Sequence, residues 1–274
     1  MTFQLEDFAE DILNKARAGL GISQSHLAEQ SNLSSERVQS VLNGEVDEEA
    51  LRSTAKVLQL DPESLIEIAQ KRWSPESHPI NHLHCFQSDF RGIMVVNAYL
   101  LVDPSNKCAV GFDTGADATE MCRFLESNSL RLTHLFLTHA HEDHIMDIDR
   151  VKKVSAVDHI YTPEKEDVAG ATSFSPGQSF SCGPYSLQTR LTCGHSHGGV
   201  TYVIEGLDKL TAIVGDALFA GSMGGPKVSY EQCLTTNREQ LFSLPDETLL
   251  CPGHGPVTTV AEEKTHNPFF PEFK

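Results

Sequence analysis

One seven-residue segment limits what this chain can fold into more than any other feature of the sequence. Residues 138–144 read Thr-His-Ala-His-Glu-Asp-His and follow a short apolar run. A strand alternates its side chains and a helix face repeats every three or four residues, so only a tight loop brings three imidazoles and a carboxylate to one point. Binding a cation offsets the cost of such crowding. The segment therefore predicts a metal site at the end of a buried strand.

Bulk composition limits the class of protein. A chain of 274 residues with 39% hydrophobic residues can bury the core of one medium domain and a small one. The N-terminus is acidic where a signal peptide is basic, and the longest apolar run, residues 93–102, is too short to cross a bilayer. Seven cysteines without CxxC spacing indicate reduced thiols. We expect a cytoplasmic protein without a membrane partner.

Residues 1–72 predict a small domain of consecutive short helices. Apolar residues recur at helical spacing, and Ser23 and Ser34 stand where N-caps are expected. Asp61 and Pro62 have the types that open a helix, as N-cap and first helical residue. The prolines and the absence of periodicity in residues 73–79 indicate a linker. We expect few contacts between this domain and the rest of the chain.

The apolar pattern of this domain has a recognisable form, carried by Ile22-Ser23-Gln24, Leu27-Ala28, Leu33-Ser34, Val38 and Val41-Leu42-Asn43-Gly44. It resembles the lambda-repressor/Cro-like helix-turn-helix family. The resemblance implies that the helix at 34–42 offers Ser35, Glu36, Gln39 and Ser40 to the major groove of DNA. However, residues 1–72 hold seven basic and thirteen acidic residues, a net charge of −6, and the whole chain carries −17. This charge disfavours DNA as a partner, and we expect docking or a homodimer through this domain.

Residues 80–274 follow a different pattern, in which apolar runs alternate with helical stretches. This order is typical of layered α/β domains. The predicted strands are 93–102, 109–112, 134–137, 200–204, 210–214 and 248–251, and the predicted helices include 118–126 and 237–242.

More polar residues stand beside glycines at predicted strand ends, in Cys193-Gly194-His195, Gly215-Asp216, Gly253-His254 and Phe112-Asp113-Thr114-Gly115. Together with residues 138–144, these motifs resemble the five motifs of the metallo-β-lactamase superfamily over roughly residues 80–270. The resemblance implies a four-layer αβ/βα sandwich with a two-metal site where the sheets meet. The implied ligands are His139, His141 and His195 for one metal, Asp143, His144 and His254 for the other, and Asp216 as the bridge.

Further expectations concern the chemical roles of individual residues. Asp113 has a structural role, Asp143 also takes part in catalysis, and His197 is a candidate substrate contact beside His195. Nitrogen and carboxylate ligands suit two Zn²⁺ ions, and iron or manganese also fits. Two adjacent cations supply a hydroxide at neutral pH, so the arrangement predicts a hydrolase that attacks through a bridging hydroxide.

The segments 215–222 and 252–256 resemble the glyoxalase II (hydroxyacylglutathione hydrolase) group most. We therefore expect a thioester hydrolase whose small-molecule substrate is of the S-acyl glutathione type. Two alternatives stay open. One is a transcription regulator that senses a ligand through its metallohydrolase domain. The other is an enzyme like the mononuclear iron persulfide dioxygenases, although Met223-Gly224-Gly225-Pro226 stands where that group usually carries Arg-Thr-Asp.

Overall fold

The computed structural model describes residues 4–155 and 157–274. The chain begins with a helical unit made of α1 (Ala9–Gly19), α2 (Gln24–Ser31), α3 (Ser35–Leu42), α4 (Glu48–Val57) and α5 (Pro62–Ala69). The predicted caps are confirmed, because Ser23, Ser34 and Asp61 each accept a hydrogen bond from the backbone N–H three residues on. These bonds satisfy donors that the first turn of a helix leaves open. The helix-turn-helix resemblance stays a prediction.

Two six-stranded sheets follow. The first has the order β1-β2-β3-β4-β5-β6, with β1 (Leu83–Phe90), β2 (Met94–Asp103), β3 (Cys108–Phe112), β4 (Arg131–Phe136), β5 (His159–Pro163) and β6 (Thr172–Phe174). The second has the order β12-β11-β10-β9-β8-β7, with β7 (Ser179–Cys182), β8 (Tyr185–Leu191), β9 (Val200–Glu205), β10 (Thr211–Gly215), β11 (Leu249–Pro252) and β12 (Thr258–Thr259). All six predicted strands are present.

Helices lie between these strands. They are α6 (Thr119–Ser127), α7 (Glu142–Ile145), α8 (Ile148–Ser155), α9 (Tyr230–Thr236), a π-helix (Asn237–Leu241), α10 (Val260–His266) and a final 3-10 turn (Pro271–Phe273). The predicted helix 118–126 is α6. The predicted helix 237–242 is instead the π-helical continuation of α9. None of the described helices has the length and apolar character needed to cross a bilayer.

Side-chain alternation along β2 assigns the layers. Tyr99 and Leu101 join the apolar cluster between the two sheets, whereas Ala98 and Leu100 join the cluster that includes α6 and α8. Successive residues of a strand point to opposite faces, so both faces of the first sheet are buried. The result is a layer of helices, two sheets face to face, and a further layer over the second sheet.

The helical unit contributes to that further layer. Val203, Ala212 and Val214 of the second sheet belong to the same buried cluster as Leu13 and Leu65 of the helical unit. Hence one hydrophobic core spans the predicted domain boundary. The expectation of few contacts is wrong, because strands buried on both faces need helices on each side and this unit supplies some of them.

Residues 73–79 have no regular secondary structure, as predicted for a linker, yet they are held against α10. Trp73 stacks on His266 with ring centroids 4.8 Å apart, and His78 Nε2 lies 2.9 Å from a carboxylate oxygen of Glu262. In addition, the backbone N–H of Asp61 donates to the Pro268 carbonyl at 2.8 Å. The segment therefore fixes the helical unit in place.

Candidate metal centre

Four strand ends meet at one edge of the sandwich. β3 and β4 are parallel in the first sheet, and β10 and β11 are parallel in the second. Parallel neighbours end at the same sheet edge, so the residues that follow them come together. Asp113 follows β3, residues 138–144 follow β4, Asp216 follows β10 and His254 follows β11. His195 reaches this edge from the connection between β8 and β9.

Seven donor side chains converge at this edge in two groups, and the donor atoms of a group lie within 4.8 Å of one another. They are the seven that the sequence resemblance implies. The first group is His139, His141, His195 and Asp216, and the second is Asp143, His144 and His254.

Asp216 stands between the groups. Its Oδ2 lies 3.3 Å from His195 Nε2 and 3.4 Å from His254 Nε2, and its Oδ1 lies 3.2 Å from His144 Nε2. Asp143 Oδ2 lies 3.2 Å from His254 Nε2 and 3.4 Å from His144 Nε2. One carboxylate therefore reaches donors of both groups, which is the geometry that a bridging ligand needs.

Hydrogen bonds outside the cluster fix how the imidazoles point. Several rings turn Nε2 inward and hold Nδ1 against an oxygen acceptor, so Nε2 is the nitrogen that a cation would bind after displacing any proton there. Since a ring nitrogen that donates to an acceptor carries the proton, this also fixes the tautomer. The Nδ1–acceptor distances are 2.8 Å for His144 with Asp113, for His195 with the Gly225 carbonyl, and for His254 with the Val95 carbonyl.

Asp113 organises the loop without joining the donors, which fits its implied structural role. Its Oδ1 accepts the Thr138 backbone N–H at 2.7 Å, and its Oδ2 accepts the Thr138 hydroxyl and the His144 ring at 2.8 Å each. The residue adopts φ 57°, a left-handed conformation that turns the chain sharply after β3.

Glu166 is a second organising carboxylate, and the sequence did not reveal it. It is buried, and its two oxygens accept the backbone N–H groups of Ala140, at 2.9 Å, and Gly198, at 2.6 Å. Ala140 lies between two of the donor histidines, and Gly198 closes the loop that carries His195. One side chain therefore ties two metal-binding loops together.

Two glycines allow the loops to approach each other. A Cβ on Gly253 would lie 2.2 Å from Asp216 Oδ1 and 2.6 Å from His144 Cε1. A Cβ on Gly224 would lie 1.9 Å from the Asp216 carbonyl oxygen. Neither position can hold a side chain, so both glycines are required by the packing of the site.

The charges around the donor histidines lower the pKa of some of them and raise the pKa of others. Burial and neighbouring histidines lower the pKa of His139 well below its usual value and that of His141 to about 4. Burial opposes protonation of His144 and His254 too, but carboxylates, chiefly Asp216, raise their pKa values to about 10 and about 11. Those two histidines in turn hold the pKa of Asp216 well below its usual value despite its burial. Bound cations would replace their protons as the balance for the carboxylates.

The buried polar atoms of the site fit metal ions. Among the described residues, His139 Nε2, His144 Nε2 and Asp216 Oδ1 are buried without a well-formed hydrogen bond, although the last two lie 3.2 Å apart. Buried polar atoms are nearly always paired, so three such atoms in one cluster require another partner. Imidazole nitrogens and carboxylate oxygens are ligands for zinc, iron and manganese. The site could hold two metals, and its donor set leaves their identity open.

His197 is the one predicted site residue that lies apart. Its side chain is exposed and belongs to neither donor group, although its neighbour His195 does. A substrate contact by His197 stays a prediction.

The family model described as the metallo-beta-lactamase superfamily matches residues 91–254. The chain belongs to this superfamily. The two sheets with helices outside them are the mixed α/β fold that membership implies, and the matched range holds every donor described above. The helical unit lies before it.

Three relatives illustrate the range of activities. A probable metallo-hydrolase of Bacillus subtilis, YqgX, is 31% identical over 66% of this chain and 95% of its own length. The hydroxyacylglutathione hydrolase GloC of Haemophilus influenzae is 26% identical, over 63% and 92%. The human mitochondrial persulfide dioxygenase ETHE1 is 29% identical, over 65% and 73%.

Proposed function

We propose that the protein is a binuclear metal-dependent hydrolase that cleaves thioesters of the S-acyl glutathione type. The observation that carries the proposal is the position of Asp216, whose two oxygens reach donors of both groups. His139, His141 and His195 would hold one cation, and Asp143, His144 and His254 the other. Two adjacent cations lower the pKa of a shared water and stabilise the oxyanion formed on an attacked carbonyl.

The residues of the chain prepare the site for that reaction. The carbonyls of Val95 and Gly225 and the carboxylate of Asp113 orient three of the histidines, so that their Nε2 atoms already point toward the other donors. Asp143 is part of the second group, where it would serve as a ligand and take part in catalysis. No separate serine or cysteine nucleophile is required.

The thioester assignment rests on two supports. The segment 215–222 resembles the glyoxalase II group, and the relative GloC is a hydroxyacylglutathione hydrolase. An S-acyl glutathione, a lactone and a β-lactam should therefore be hydrolysed at very different initial rates, with the thioester fastest. Fastest turnover of the β-lactam would contradict the substrate assignment.

Metal content tests the binuclear site independently of substrate. Protein purified without added metal should hold about two metals per chain, because Asp216 completes both groups. Asp216→Ala should hold about one or none and lose thioesterase activity by more than about 100-fold, while Asp167→Asn, at an exposed carboxylate, should match wild type. A wild-type content near one that Asp216→Ala leaves unchanged would refute the proposal.

The second candidate is an oxidative enzyme with one iron, favoured by the similarity to human persulfide dioxygenase. It predicts a single iron and oxygen consumption with glutathione persulfide. The two candidates differ in metal content and in the need for oxygen, so the same preparations distinguish them.

A further inference from the structure

A cleft of about 690 Å³ lies between the helical unit and the loop that follows Asp216. One wall is α1, through Asp11, Asn14, Lys15 and Ala18, and the other is the segment 225–230. Small-molecule sites commonly have volumes of several hundred cubic ångströms, so this cleft can take a ligand group of that size.

The loop side of the cleft begins at the metal centre. The Gly225 carbonyl on this wall accepts the Nδ1 proton of His195 at 2.8 Å. Lys227, two residues on, is exposed, and its positive charge acts on His141 and His195. The cleft therefore lies behind the His195 ring, beside the loop that carries it, and only a leaving group long enough to pass that ring reaches it from the cations.

The other wall, α1, contacts the loops of the metal centre. Lys15 pairs with Asp7 and donates to the Met223 carbonyl at 2.8 Å. Its ammonium group also lies 5.2 Å from the centroid of the Phe219 ring, which packs edge-on against His254 at 5.5 Å. Because these contacts connect α1 to the loops that carry the donors, the width of the cleft is fixed by the fold.

At the far end of the cleft, α1 packs closely against α9. A Cβ on Gly19 would lie 2.3 Å from the ring of Tyr230, so the end of α1 rests directly on the start of α9. Tyr230 is largely buried there, and burial raises its pKa well above the usual value. The two walls of the cleft therefore meet at this end.

The lining carries charged groups of both signs. Asp11 offers a carboxylate that accepts the Phe8 backbone N–H, and Lys227 has no acidic partner among the described residues. A group with an anionic end toward Lys227 and a hydrogen-bond donor toward Asp11 would complement both walls.

We propose that α1 forms one wall of the leaving-group subsite, and that the helical unit thereby selects substrates with a large, polar, anionic leaving group. This inference rests on the proposed thioesterase function and extends it to a part of the chain outside the matched family region.

Ala18 allows a test that leaves the fold intact, because it is an exposed position on α1 that lines the cleft. Ala18→Trp narrows the cleft, and Ala18→Glu and Ala18→Lys change its charge in opposite directions. The two substrates carry the same acetyl group on glutathione or on 2-mercaptoethanol. Gln30→Trp, an exposed position on α2 away from the cleft, is the control.

Ala18→Trp should raise KM for the glutathione thioester about fivefold or more, with the small thioester within about twofold of wild type. Ala18→Glu should raise that KM and Ala18→Lys lower it, each about twofold at low ionic strength and less in salt. Equal effects on both substrates, or none, overturn the inference while the hydrolase proposal stands. If wild type hydrolyses neither thioester, the proposed function fails and the inference with it.

Discussion

At the scale of single residues, Glu166 shapes the site although it belongs to neither donor group. Each of its oxygens holds one backbone N–H, one from the loop of His139 and His141 and one from the loop of His195. Both loops supply donors of the first group. Their separation therefore depends on one buried carboxylate, and metal affinity should depend on it too.

Glu166→Gln replaces one acceptor oxygen with an amide nitrogen, so one of the two N–H groups loses its partner. We expect metal affinity to fall about 10- to 100-fold, as is usual for residues that orient metal ligands. Competition with a chromophoric chelator measures the change. Asp167→Asn, at the exposed neighbour, should leave the affinity unchanged, and equal affinities for Glu166→Gln and wild type would show that the loops hold their spacing without this carboxylate.

The donors were predictable from sequence and Glu166 was not, for a physical reason. Residues 138–144 concentrate donors in one loop, and glycine marks the turns that aim His195, Asp216 and His254 inward. Glu166 has no such signal. It is one of several acidic residues between β5 and β6, and only its burial distinguishes it.

At the scale of elements, the helices of the helical unit follow from local sequence, whereas its packing does not. Caps and apolar spacing set where each helix begins and which face is buried. Strands β9 and β10, by contrast, are buried on both faces, which predicts covering helices without saying which ones. The prolines of residues 73–79 suggested separation, yet that segment is bound through Trp73 and His78.

The structure adds to the expectation of weak DNA binding. Arg37, on the helix that would enter the major groove, is held by Asp47 and Glu49, and Arg52 is held by Glu63. Cations already paired with carboxylates contribute less to phosphate binding, because those pairs must first be broken. We propose that the helical unit serves to cover the second sheet of its own chain, while docking to a partner and a homodimer through this unit stay predictions.

Removal of the helical unit should destabilise the rest of the chain. A chain that begins at Trp73 exposes the outer face of the second sheet, including Val203, Ala212 and Val214. Exposed apolar patches of this kind favour aggregation. We expect the shortened chain to be largely insoluble, or to unfold at a temperature at least about 10 °C below that of the full chain. A soluble shortened chain with the melting temperature of the full protein would contradict the shared core.

At the scale of the whole molecule, a buried carboxylate lies where the helical unit meets the region of the second sheet. Glu263 on α10 accepts hydrogen bonds from the Gly221 backbone N–H, the Thr258 hydroxyl and the Asn267 amide. A Cβ on Gly221 would meet the ring of Trp73 at 2.7 Å, so this cluster lies where the helical unit and the second sheet make contact. Burial raises the pKa of Glu263 to about 7.

This pKa makes stability depend on pH in a defined direction. The folded state binds the proton of Glu263 more tightly than the unfolded state, whose value is 4.5. The contribution of Glu263 to the free energy of unfolding is therefore greatest below pH 4.5 and falls as pH rises to about 7, by about 3 kcal/mol. Glu263→Gln does not titrate in this range, so its free energy of unfolding lacks this pH-dependent contribution.

Denaturant unfolding of wild type and Glu263→Gln across that range measures the difference, and other titrating groups cancel in it. Relative to wild type, the variant should gain stability as pH rises from 4.5 to about 7. Glu262→Gln is the matched control of opposite sign. Burial opposes ionisation of Glu262, but the Glu76 backbone N–H and His78 lower its pKa, so its contribution is lost as pH falls. A stability difference between wild type and Glu263→Gln that stays constant with pH would mean that Glu263 keeps its ordinary pKa in the folded chain.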